Sequence, residues 1–140
     1  MTSPATFAAG KHCYDTGKTQ VDLRECADHE AAAADKRLND VYQLIVKEYS
    51  ADPAFIAKLK SAQQAWLYFR DAELQAVYPR EDKLASYGSV WPTCNLQERT
   101  RLTEERTKEL QRWMKGTPEG DVCAGSIKFG ETAKTSKESE

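Results

Sequence analysis

The chain has 140 residues; 30% of them are charged, and the signs nearly cancel to a formal net charge of −2. This length fits one domain with a modest core. The balanced charge excludes the one-signed basic face with which a nucleic-acid binder collects phosphates, and no window holds the roughly 18 uninterrupted apolar residues that span a bilayer.

The opening "MTSPATFAAGKHC" lacks the basic and apolar regions of a signal peptide. Against that, Cys13, Cys26, Cys94 and Cys123 make an even count, which suits two disulfides and an oxidising compartment. The cysteines favour a secreted or periplasmic protein whose signal has been removed. Residues 1–12 read as a flexible N-terminus or expression remnant, 13–127 as a single helical domain, and 128–140 as a disordered polar tail.

A first long helix is predicted from Thr19 to Tyr49. Ala27, Ala31, Ala34, Leu38, Val41, Ile45 and Tyr49 recur at steps of three and four and form its apolar face. Asp52 is a cap and Pro53 a first-turn residue for a second helix, which ends at Tyr78 before Pro79. Its apolar stripe is read as Phe55 or Ile56, Leu59, Ala62, Trp66, Phe69 and Ala76 or Val77. Pro79 to Trp91 is a loop with a Gly88-Ser89 turn. Thr93 caps a third helix with inner residues Leu96, Thr100, Thr103, Thr107, Leu110 and Met114, ending at Lys115 before Gly116 and Pro118. The expected architecture is all-α: a three-helix antiparallel up-down bundle with a disulfide-stapled N-terminal segment and a C-terminal tail.

Within "SAQQAWLYFRDAEL", the helical spacing makes Trp66 and Phe69 core anchors. An Arg70-centred site is the sharper alternative, but no nucleophile or histidine stands near it in the sequence. Gln63 and Arg70 instead reach Asp35 and Asn39 to form a structural polar layer that sets helix register. His12, Cys13, Cys26 and His29 can be drawn as a zinc site, yet adjacent His12 and Cys13 chelate awkwardly. The carboxylate-rich runs "PREDK" and "TEERTKE" show no closed cleft for acid-base work. The reading is therefore non-enzymatic, with no cofactor and no metal. The loop offers the best recognition surface, through Arg80, Lys83, Tyr87, Ser89 and Trp91. The competing reading folds Tyr87 and Trp91 back to close the end of the bundle.

Three segments in order, "CYDTGKTQVDLRECADHEAAAADKRLNDVY", "AQQAWLYFRDAE" and "CNLQERTRLTEERTKEL", resemble the LprI-like family of secreted bacterial proteins. The resemblance runs from about Cys13 to Leu110. It implies a helical envelope protein with a protein partner, a lysozyme for some members. Relatives carry a cysteine near the position of Leu74, bonded to the one that opens the third helix. With leucine here, Cys123 is the substitute partner for Cys94, and Cys13-Cys26 closes the other loop. Reach opposes the Cys94-Cys123 bond: seven or eight extended residues span about 25 Å, so the third helix has to end near Arg112 or the pairing has to differ. The functional expectation is a protein-binding module that inhibits a lysozyme. The rival is a structural or adaptor protein of the envelope that docks through the outer faces of the first and third helices.

Overall fold

The structure, a computed structural model, describes residues 13–130; expectations for 1–12 and 131–140, His12 included, lie outside it. The described chain is helical, with α1 (Gln20–Glu48), α2 (Pro53–Val77), α3 (Lys83–Tyr87) and α4 (Trp91–Lys115) following a helical turn at 13–16. Among the described residues there is one isolated bridge, Thr117 with Phe129.

Local chemistry sets the helix ends. Thr19 and Asp22 form a capping box: the Asp22 N–H donates to Thr19 Oγ1 at 3.1 Å, and the Thr19 N–H donates to Asp22 Oδ2 at 3.3 Å. Asp52 accepts from the Phe55 N–H at 3.1 Å, one position before Pro53, as expected of a cap followed by a first-turn proline. Two expectations are corrected. The segment from Pro79 to Trp91 is not a plain loop, because α3 forms inside it. The last long helix begins at Trp91, with Pro92 in its first turn, so Thr93 is a buried inner residue and not a cap.

Contacts Asp35–Arg99, Arg37–Glu104 and Tyr49–Trp113 occur in the same order along α1 and α4, so these helices run in one direction. Gln63–Arg106 and Arg70–Thr103 give α2 the opposite direction. The helices do not pack as equals. The α1 and α4 backbones lie close together along much of their length, whereas α2 approaches α4 only briefly. Residue size explains the close pair, since α1 buries Ala27, Ala31 and Ala34 and α4 buries Thr93, Thr100, Thr103 and Thr107. Three of those hydroxyls donate to the carbonyl one turn back, Thr100 to Leu96, Thr103 to Arg99 and Thr107 to Thr103, at 2.8–3.0 Å. Burying them therefore leaves no donor without a partner.

The core lies at the other end of the α1–α4 pair from their small-residue contact. Leu38, Ile45, Tyr49, Phe55, Leu59 and Leu110 form one buried cluster with Trp113 packed against it. Phe55 stands 4.4 Å from Trp113 and 4.8 Å from Tyr49, centroid to centroid. The Tyr49 hydroxyl donates to the Trp113 carbonyl at 2.6 Å and accepts from the Lys128 N–H at 3.0 Å. One phenol thus joins α1, α4 and the segment after α4. That segment also closes on itself, through Thr117 N–H to Lys128 O and Gly130 N–H to Thr117 O, both at 3.0 Å. A side chain at Gly130 would put its Cβ 2.2 Å from the Lys115 carbonyl, so only glycine permits this approach. Lys128 to Gly130, read from sequence as part of a loose tail, are therefore held in place.

The anchors assigned to α2 are also corrected. Phe69 is 52% exposed, and Trp66 is half-buried with the Arg70 guanidinium 5.2 Å above its ring. Phe55, Leu59 and Arg70 are the buried residues of α2. Helix α2 is turned so that Phe55, Leu59 and Arg70 point inward and a second apolar stripe, which includes Phe69, points out.

Cys13 and Cys26 are bonded, with Cα atoms 5.8 Å apart, and tie the N-terminal turn to the first turns of α1. Bonded sulfurs are not thiolates, which removes two ligands from the zinc arrangement. Cys94 and Cys123 are not bonded to each other, which corrects the second expected disulfide. The physical reason is reach. Helix α4 continues unbroken to Lys115, roughly 30 Å beyond Cys94. The returning chain is coiled into turns at Pro118–Asp121, Asp121–Ala124 and Ala124–Ile127 and is not extended.

Candidate functional site

The recognition residues expected from sequence lie on the connection between α2 and α4. Asp82 nucleates α3 by accepting from the Ala85 N–H at 3.0 Å. Gly88, at φ 80°, ends it and donates to the Leu84 carbonyl at 2.9 Å. Few other residues adopt that backbone geometry, so the sharp exit into α4 depends on this glycine.

The side chains here divide into two groups. Lys83, Tyr87 and Trp91 are half-buried and face one another. The Lys83 ammonium donates to the Tyr78 carbonyl and lies 5.9 Å from the ring centroids of both Tyr87 and Trp91. Tyr78 meets Tyr87 edge-on at 5.2 Å and Trp91 at 6.3 Å. The Tyr87 hydroxyl accepts from the Arg80 N–H at 3.0 Å. A cation on aromatic faces contributes on the order of 0.5–2 kcal/mol, which stiffens the tip. Burial pushes the Tyr78 phenol up from its ordinary value, and the neighbouring Cys94 and Glu98 add to the effect. Arg80, Leu84 and Ser89 form the second group and are exposed, Leu84 by 69%. Leu84 was not among the residues singled out in the sequence. Its position two residues after the Asp82 cap would have revealed it once α3 was recognised.

The polar layer is assembled differently from its expected form. Arg70, 6% exposed, lies 3.4 Å from Asp35 and 3.5 Å from Thr103 Oγ1. Arg99 also reaches Asp35, at 3.2 Å. Gln63 turns to α4, where it accepts from Arg106 Nε at 3.0 Å, and Asn39 is exposed. Sequence reasoning therefore paired Asp35 with Arg70 but missed Arg99 and Arg106, which sit one heptad apart on the helix that supplies the other half of the layer. With one carboxylate between two guanidiniums and no nucleophile beside them, the layer is suited to holding helices in register. Among the described residues, no group of three or more His, Cys, Asp or Glu side chains is arranged to hold a metal ion.

Residues 13–110 match the family described as Lysozyme inhibitor LprI. The chain belongs to that family. It is also 33% identical, over 128 residues, to an uncharacterized protein of Rhizobium meliloti (strain 1021), an alignment covering 81% of this chain and 86% of the relative. No solved structure matches the chain. No helix among the described residues is long and apolar enough to cross a membrane.

Proposed function

We propose that this protein is a non-enzymatic binding module that acts outside the cytoplasm and inhibits a lysozyme through the tip formed by Pro79 to Trp91. Family membership supplies the partner class, and the Cys13–Cys26 bond favours an oxidising compartment. One observation carries the choice of surface: exposed Arg80, Leu84 and Ser89 stand on a base held by Lys83, Tyr78, Tyr87 and Trp91. A pre-ordered surface loses little freedom on docking, and a lysozyme cleft carries two carboxylates that suit a basic and hydroxyl-bearing insert. In this reading Arg80, Leu84 and Ser89 make the contacts, while Lys83, Tyr87 and Trp91 hold them. An up-down arrangement of the three long helices would serve as the rigid stalk.

The envelope-adaptor reading depends on the acidic outer face of α1 and the basic face of α4. Asp35 of α1 and Arg99 of α4 already join such charges across the α1–α4 contact, which favours the tip over the flanks. Lysis of cell-wall substrate by a panel of lysozymes, with and without the protein, tests the proposal. Arg80→Ala and Leu84→Asp are expected to weaken inhibition about tenfold or more, since central contacts dominate small interfaces. Unchanged inhibition in both variants would remove the tip from the mechanism. No inhibition at any ratio would favour the adaptor.

A further inference from the structure

Helix α2 carries a second apolar face that the fold does not cover. Ala62, Ala65, Phe69, Ala72 and Ala76 are all exposed and follow one another at alternating steps of three and four residues. That spacing is the seam of a two-helix coiled coil. No charged residue interrupts it. Of the three long helices, this is the one whose backbone is least engaged with the rest of the molecule. Apart from buried Arg70, which pairs with Asp71 at 3.4 Å, its charges are also segregated along its length, with Lys58 and Lys60 near the start and Asp71 and Glu73 beyond the middle. Lys58 and Glu73 have no ion-pair partner among the described residues, Lys58 lying in line with the seam and Glu73 on its flank.

We infer that this face binds a second copy of the chain, with the two α2 helices antiparallel about a twofold axis near Leu67. In that register Phe69 of each copy lies against Ala65 of the other, and Ala62 lies against Ala72. Lys58 falls opposite Ala76, one turn from Glu73 of the other copy. A large ring meets small residues, and the basic half of each helix meets the acidic half of the other. A parallel pair would instead set like charges side by side. The contact is isologous and closes on itself, giving a dimer and not a fibre. A single pair of short helices makes an interface at the low end of the size range, so the association is weak and concentration-dependent. It does not rest on the lysozyme reading, since the seam and the tip use different residues.

Sedimentation equilibrium of the full chain, from micromolar to millimolar concentration, tests this. The wild type is expected to shift from monomer to dimer, and a variant with both Cys94→Ser and Cys123→Ser to do the same, which separates association from a disulfide link. Phe69→Asp should remain monomeric with unchanged helical circular dichroism. Glu73→Lys should weaken association about three- to tenfold, and adding Lys58→Glu should restore it, because surface pairs are worth little singly but act twice in a symmetric dimer. A wild type that stays monomeric throughout, or a dimer indifferent to Phe69→Asp, would overturn the proposal. So would charge variants that fail to rescue one another. Loss of lysozyme binding in Phe69→Asp without any dimer in the wild type would assign the face to the partner instead.

Discussion

At one end of α4, Trp113 meets Tyr49 and Phe55 within 5.8 Å, and a buried tyrosine hydroxyl bonds both a helix end and the segment that follows it. At the other end Tyr78 meets both Trp91 and Tyr87, Lys83 lies near those two rings, and the Trp91 indole N–H is buried without a hydrogen-bond partner among the described residues. Both ends use three rings, but only the first is sealed by aliphatic neighbours and backbone closure. An unpartnered buried N–H costs about 1–3 kcal/mol, so the tip forgoes stability that the Tyr49 end retains. Apolar burial follows the same contrast along α2, whose first half buries Phe55 and Leu59 and whose second half exposes Phe69, Ala72 and Ala76 and buries only the charged Arg70. Stability is concentrated at one end, leaving the other available for contact.

Substitutions test this division most strongly at the sealed end. Tyr49→Ala removes a 2%-exposed ring and both of its hydrogen bonds, and should cost about 3–5 kcal/mol in urea unfolding, whereas Phe69→Ala should change stability by less than about 0.5 kcal/mol. A comparable loss at both positions would erase the contrast. Replacing Cys13 and Cys26 together by serine should lower stability by about 3 kcal/mol, through the added freedom of the unfolded chain, without altering the Trp113 environment read by fluorescence. Arg70→Met should cost only about 1 kcal/mol, since Asp35 keeps Arg99 and the aliphatic replacement still covers Trp66. A loss as large as that of Tyr49→Ala would make the polar layer a second core.

Acid provides the smallest test. Arg101 hydrogen bonds hold Glu98 below its ordinary value, and the Lys18 N–H and Thr19 do the same for Asp22. Their folded pKa values lie below the unfolded ones, so the stability they add is present above the ordinary carboxylate range and lost as pH falls through the folded values. Thermal melts should therefore fall below about pH 4, and Asp22→Asn should flatten part of that slope. At the alkaline side the sign reverses. Burial raises the Tyr14 and Tyr78 phenols, so their contribution is lost as pH rises past about 10.

The starts of α1 and α2 were legible because Thr19 and Asp52-Pro53 are local signals whose chemistry does not depend on packing. The inner face of α2 was not legible, because the helix carries two apolar stripes and periodicity alone cannot rank them. Arg70 took the inward position through partners on α1 and α4, which no local pattern reveals. The start of α4 was misplaced because Val90 caps it without a side-chain bond, leaving nothing in the sequence to mark it. At the tip, Arg80, Lys83, Tyr87, Ser89 and Trp91 were identified as a group. Their division into holding and exposed side chains emerged only once α3 had folded between them. The substitute bond expected between Cys94 and Cys123 was the wrong reading, because α4 runs unbroken to Lys115 and carries the chain away from Cys94.

Native-state hydrogen exchange read residue by residue addresses the division of the molecule directly. Amides of Leu38 to Tyr49 and of Thr103 to Trp113 should exchange only through global unfolding, while those of Ala72 to Tyr87 should open at clearly lower free energy. Uniform protection across all three long helices would contradict an account in which one end holds the fold and the other is left to meet other molecules.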